Sequence, residues 1–368
     1  LIEKAIELDG NLLLAKNLLG TSYKDMGDYD KAMEIYTSSV KQAEGLGDKP
    51  AMANSLNNIG SVHNYKGDLD TALEFYDRGL VIQKELDDKR GMGYTINAIG
   101  IAHYNKKDLD KALPFYEKAL SISTELDDKA GMAWNLNCIG LVHADKEHLD
   151  KALDFYDRSL AMREEVGDKH GIGINLLTIG LVYTKKGDLD TALDFYSRAL
   201  AIQEKLGDKH GMLYSLGNIG RELHERGDYD SAIDHLKREL SIREDIGVEN
   251  GILYCFNIIG VSYAYKGEYL KAVDFLTKSL SIQKEIKYKE LELFTTTILN
   301  IAYKHCGKES DIKNLTSLIA EAETIELEVN YNLYELLKEN SYLQTAYNQL
   351  QEKASFMEEE LKLKLFSY

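Results

Sequence analysis

Proline is nearly absent, with two residues in 368. It lacks the N–H and clashes with the preceding turn, so its scarcity leaves room for long helices. Cysteine is scarce too: Cys138, Cys255 and Cys306 are far apart and share no short spacing. That argues against a disulfide framework and points to a reducing compartment, so the expected location is the cytoplasm. No apolar run approaches the ~18 residues of a membrane-spanning helix. Leu1 to Asp9 lack the basic-then-apolar order of a signal peptide. Lys and Arg number 44 against 61 Asp and Glu, a formal net charge of −17. Such a surface repels phosphate backbones and anionic lipid, so neither nucleic acid nor a membrane is an expected partner. No phosphate loop, Ser/His/Asp grouping or zinc spacing occurs. No catalytic residue, metal, cofactor or enzymatic activity is therefore expected.

What is present is a strict period. Glycines stand at Gly20, Gly60, Gly100, Gly140, Gly180, Gly220 and Gly260, each step forty residues without slip. A period of this size means stacked supersecondary units. Each reads as two helices. In one, Asp88 caps a helix from Lys89 to about Asn105, and Asp108 caps another from Leu109 to about Leu126. Both carboxylates accept bonds from orphan N–H groups at the positive end of the helix dipole. Ile96, Ile99 and His103 share one face of the first helix. Leu109, Ala112, Leu113, Tyr116 and Leu120 share one of the second. Gly100 and Ala112 are small where two axes must approach to about 8–10 Å.

These positions carry a resemblance. Gly100, Ala112, Tyr116 and Ala119, in that order, resemble the tetratricopeptide repeat, whose usual period is about 34. The family's tryptophan position is Ile96 here, its closing proline is missing, and six extra residues lengthen the helices. This forty-residue variant is similar to the arrays of LGN/Pins-type polarity adaptors and of prokaryotic signalling proteins. The resemblance implies an all-α, right-handed superhelical solenoid of antiparallel helix pairs. Residues 10–288 then form seven repeats, and 1–9 are the tail of a truncated upstream repeat. Residues 289–327 form a degenerate eighth, with Asn300 in the glycine's place. Beyond it, Leu336, Leu343, Tyr347, Leu350, Ala354, Met357 and Leu361 follow spacings of three, four or seven. One long capping or coiled-coil helix is expected over 328–368. Pro114 stands inside a second helix and should cost it a hydrogen bond.

The resemblance also implies that first helices line a concave groove. Three residues before the glycine lie Asn57, Asn97, Asn137 and Asn257, poor helix formers whose amides suit a peptide backbone or a neighbouring helix. Six before it lie Tyr94, Trp134, Tyr214 and Tyr254. One after it lie Ile101, Leu141, Leu181 and Arg221. The three rows are three and four residues apart, hence on one helix face. His63, His103 and His143 recur forty residues apart, too far to share a metal ion, and read as packing aromatics. The expected function is a scaffold holding a protein or peptide in the groove. The alternative is a sensor segment of a larger signalling enzyme, such as a cyclase, histidine kinase or caspase-like protease, acting through the last helix. Homodimerisation through that helix or the solenoid ends is a further alternative.

Overall fold

The computed structural model describes residues 13–322 and 324–355, with side chains to residue 352. The remnant at 1–9 and the side chains of Ala354, Met357 and Leu361 lie outside the described residues. The described chain is helical throughout and divides into two compact bodies, the boundary falling between Phe195 and Tyr196. The first contains α1 (Leu13–Asp25), α2 (Tyr29–Leu46), α3 (Lys49–Tyr65), α4 (Leu69–Glu85), α5 (Lys89–Asn105), α6 (Leu109–Glu125), α7 (Lys129–Asp145), α8 (Leu149–Val166) and α9 (Lys169–Lys185). The boundary lies inside α10 (Leu189–Leu206). The second body continues with α11 (Lys209–Glu225), α12 (Tyr229–Ile246), α13 (Ile252–Tyr265), α14 (Tyr269–Glu285), α15 (Glu292–His305), α16 (Ile312–Glu321), α17 (Leu327–Leu337) and α18 (Asn340–Ser355).

Helix ends follow the aspartate rule. Asp48, Asp88, Asp128, Asp168 and Asp208 each accept a bond from the N–H three residues on, opening a first helix. Asp28, Asp108 and Asp228 do the same for second helices. Where His148 replaces the aspartate, no side-chain cap forms. Turns close on left-handed residues such as Gly67 and Gly187. Lys107 and Glu147 occupy the same conformation at φ 62° and 58° without glycine's freedom. α6 runs through the exposed Pro114 to Glu125.

The first and second helix of a repeat meet at the periodic glycine. A Cβ on Gly60, Gly100 or Gly140 would lie 2.7, 2.7 or 2.5 Å from the ring of Tyr76, Tyr116 or Tyr156. These tyrosines are buried beside Ala72, Ala112 and Ala152, all fully inaccessible. In the second body leucines take the place of the rings: Leu236 faces Gly220 and Leu276 faces Gly260. The recurring histidines stack on the second helix of their own repeat: His63 on Phe75, His103 on Phe115 and His143 on Phe155, at 5.3–5.5 Å. Tyr183 does so on Phe195. Burial lowers the pKa of His103 and His143, so both favour the neutral ring. Exposed ion pairs also recur, such as Lys66 with Asp30 at 2.7 Å and Lys186 with Asp150 at 2.8 Å. Each such pair is worth at most about 1 kcal/mol.

The last helices depart from one expectation. The single long helix expected over 328–368 is broken within the described residues, because Lys338 adopts a left-handed φ of 59° and closes α17. The break has a packing cause. Leu333 and Leu336 bury with Leu315 and Val329 against Leu293, Phe294 and Ile301 of α15. α18 then folds back, held by Asn330 Nδ2 donating to Gln349 Oε1 (3.1 Å) and Gln349 Nε2 to the Ile325 carbonyl (2.7 Å). Of the proposed seam, Leu336 is buried in this cluster while Leu343 and Tyr347 are exposed.

Candidate functional site: the first-helix face

In the first body, α5 and α7 place Tyr94 and Trp134 on the surface, 61% and 44% exposed. Side chains of that size normally lose most of their accessible surface on folding. Leu181 of α9 is also exposed, and Ile101 and Leu141 are half-buried, packed against the clusters beneath them. In the second body, Tyr214 of α11 and Tyr254 of α13 are exposed. Tyr254 donates its hydroxyl to Tyr288 (3.0 Å). Arg221 is exposed, with Nη2 on Asn218 Oδ1 at 3.3 Å.

The asparagines lie one layer below, and their amides bond to neighbouring first helices. Asn97 donates one N–H to Asn135 Oδ1 (2.7 Å) and approaches Cys138 Sγ with its amide nitrogen (3.8 Å). Its Oδ1 accepts the Trp134 indole N–H at 3.1 Å. Asn57 Nδ2 donates to Thr95 Oγ1 and Asn257 Nδ2 to Thr295 Oγ1, both at 2.7 Å. Asn137 Oδ1 accepts from Thr178 at 3.5 Å. A buried amide must find partners or lose about 1–3 kcal/mol, and the adjacent first helix supplies them.

The partners continue into second helices, and these residues were missed in the sequence. Thr95 Oγ1 donates to Gln83 Oε1 (2.8 Å), Asn135 Nδ2 to Ser123 Oγ (3.0 Å), and Gln283 Nε2 to Thr295 Oγ1 (3.0 Å). Each relay therefore ties two first helices to the second helix between them. The signal was available: five before the glycine, the column reads Ser55, Thr95, Asn135, Asn175, Ser215, Cys255 and Thr295, small or polar amid aliphatic neighbours.

Two departures from the relay open cavities. In the first body, Arg163 of α8 stands where Gln83 and Ser123 stand in their repeats. It is 4% exposed and floors a cavity of about 360 Å³ walled by Tyr94, Asn97 and Trp134, with Arg90 and Asp128 also lining it. Its Nη1 bonds Asp168 Oδ2 at 3.0 Å, and Nε reaches Ser159 Oγ at 3.4 Å. The guanidinium lies 6.0 Å from the Trp134 ring. Burial lowers the pKa of Arg163 against the pull of Asp168. In the second body, Gly217 replaces the asparagine and Glu239 fills the space beside it, bonded to Arg243 Nε and Nη2 at 2.8 and 2.6 Å. A cavity of about 490 Å³ adjoins them, lined by Arg221, Tyr254 and Phe294. Burial pushes the nearby Cys255 thiol up to about 12, so it is not a thiolate near neutral pH. Among the described residues, no three His, Cys, Asp or Glu side chains group closely enough to hold a metal ion, and no helix is long and apolar enough to cross a membrane.

The tetratricopeptide repeat model matches residues 11–85, 92–165 and 172–245, more than half of the sequence. The chain belongs to the tetratricopeptide repeat family. No curated protein matches it in sequence. Solved structures that resemble this tetratricopeptide repeat protein share its fold at low identity. BtubC (BKLC) from P. vanneervenii is 21% identical with a TM-score of 0.52, over 60% of this chain and 93% of that one. The apo form of RapI is 16% identical with a TM-score of 0.54, over 75% and 98%. A STAND signal-transduction ATPase from Pyrococcus horikoshii, with a tetratricopeptide repeat sensor, is 17% identical with a TM-score of 0.67, over 99% of this chain and 51% of that one.

Proposed function

We infer that the chain is a protein-interaction module that receives a peptide or a segment of a partner protein on its first-helix face. One observation carries the reading: Tyr94 and Trp134 are exposed on the first-helix face, with Trp134 fixed through its indole N–H on Asn97. An aromatic held in place loses little conformational freedom on binding, which is why such residues serve as anchors. In this reading the contact row is Tyr94, Trp134, Ile101, Leu141 and Leu181 in the first body, and Tyr214, Tyr254 and Arg221 in the second. Asn97, Asn137 and Asn257 position the row, and Asn57 retains a buried acceptor, Oδ1, with no partner. The module acts by binding rather than by catalysis, in the cytoplasm.

The test uses the chain's single tryptophan as its reporter. Peptides selected from a random displayed library against the full chain are expected to shift Trp134 fluorescence and to bind at least about tenfold more weakly to Trp134→Ala. Selected peptides that bind both proteins equally would remove the face from consideration. A second reading is a sensor within a larger signalling protein. The STAND ATPase supports it by fold and by its described sensor, and this reading uses the same face with α17 and α18 as the outlet. Sequencing the gene past Tyr368 decides between a free-standing module and a sensor segment.

A further inference from the structure

Resting on the binding reading above, we propose that the cavity floored by Arg163 is a specificity pocket for an acidic side chain of the bound peptide. The argument compares two repeats of the same chain. Arg243 carries its own carboxylate: Glu239, one turn earlier on α12, accepts from both Nε and Nη2, and Nη1 bonds the Asn250 carbonyl. Arg163 occupies the same repeat position, but the residue one turn earlier is Ser159. Its Nε has only the 3.4 Å contact to Ser159 Oγ, Nη1 goes to Asp168, and Nη2 has no partner among the described residues. The side chain is nevertheless 4% exposed and lines the cavity. A carboxylate entering the cavity can pair with this open donor by the contact Glu239 makes on Arg243.

The surrounding groups favour the same ligand. Both carboxylates of the cavity cap helices: Asp128 Oδ1 and Asp168 Oδ1 accept at the starts of α7 and α9 at 3.0 and 2.9 Å, and Asp168 Oδ2 is on Arg163. Arg90 is exposed at the rim, and the Tyr94 and Trp134 faces suit the stem of a Glu or an adjacent apolar residue. About 360 Å³ accommodates one side chain rather than a folded element.

The library selection on the full 368-residue chain tests this, with the selected peptides resynthesised with amidated C-termini. Asp or Glu is expected at one fixed position. Its replacement by Gln or Asn, or Arg163→Gln in the protein, should weaken binding by about tenfold or more. Gln is native at this repeat position in Gln83, Gln203 and Gln283, so the variant should fold. A second variant, Ser159→Glu with Asn137→Gly, transplants the Glu239–Gly217 arrangement and should exclude acidic peptides while raising the melting temperature. Peptides that bind through Trp134 without an acidic position, or that are indifferent to Arg163→Gln, overturn the pocket but leave the face intact. Loss of binding on C-terminal amidation assigns the anion to the terminus and also overturns it. Peptides indifferent to Trp134→Ala defeat the binding reading itself.

Discussion

Gly140→Ala is the substitution whose outcome the packing defines most sharply. The added methyl lies 2.5 Å from Tyr156 Cε1, 2.7 Å from Cδ1 and 3.1 Å from Cζ. Carbon contacts sit at about 3.5–4.0 Å, so the ring must retreat by about 1 Å. Tyr156 is 1% exposed and enclosed by Ala152, Ile179 and Val182, which leave no empty side to move into. Overpacking of this kind costs about 1–3 kcal/mol. Replacing glycine inside a helix returns about 0.8–1 kcal/mol. The net expectation is a loss of about 1 kcal/mol. The sign then depends on the ring. In a Tyr156→Ala background the clash is gone, and Gly140→Ala should stabilise by about 1 kcal/mol. Urea unfolding followed by far-UV circular dichroism on the four proteins of the cycle measures both values. A neutral or stabilising Gly140→Ala in the native background, or an unchanged penalty without the tyrosine, would refute the account of why this glycine recurs.

Other consequences follow from single contacts. Asn57 Oδ1 is buried without a donor, whereas its counterpart in Asn97 takes one from Trp134. Tyr94→Trp places an indole at the equivalent position and should raise stability by about 1 kcal/mol, read by the shift in urea midpoint. Lys107→Gly and Glu147→Gly relieve left-handed residues that other repeats fill with glycine. Each should add about 0.5–1 kcal/mol, and the pair should be additive in thermal melts. His224 is half-buried against Ser262 and the Tyr265 ring, and the loss of solvation takes its pKa down to about 4. The unfolded imidazole titrates near 6.5, so between these values the unfolded state holds the extra proton and native stability falls as pH falls. The loss reaches about 3 kcal/mol by pH 4, and His224→Gln should remove that part of the difference between urea midpoints at pH 7 and pH 4.5.

Most of the fold was legible because one pattern repeats in register. The capping aspartates, the mid-helix glycine and its tyrosine each reappear forty residues on, and α5 spans the limits its sequence suggested. Two things were less legible. Exposure at Tyr94 and Trp134 follows from the face they share with the asparagines, but the partners of Asn97 lie 37 and 38 residues away, on the next first helix. A helix read by itself shows an amphipathic face and hides which neighbour satisfies it. The heptad-like spacing after Val329 likewise describes one continuous helix equally well as two that fold back. The choice is made by the docking of Leu333 and Leu336 against α15, a contact remote in sequence.

The central claim is that the first-helix face, and not the second-helix surface carrying Glu74 and Asp154, receives the partner. The direct measurement is the affinity of one library-selected, fluorescein-labelled peptide for three proteins, by fluorescence anisotropy: the native chain, Tyr94→Ala with Trp134→Ala, and Glu74→Ala with Asp154→Ala. Glu74 and Asp154 are exposed on α4 and α8. The account predicts a loss of at least about tenfold for the aromatic pair and no change for the acidic pair. The reverse order, with all three proteins equally folded by circular dichroism, would contradict it.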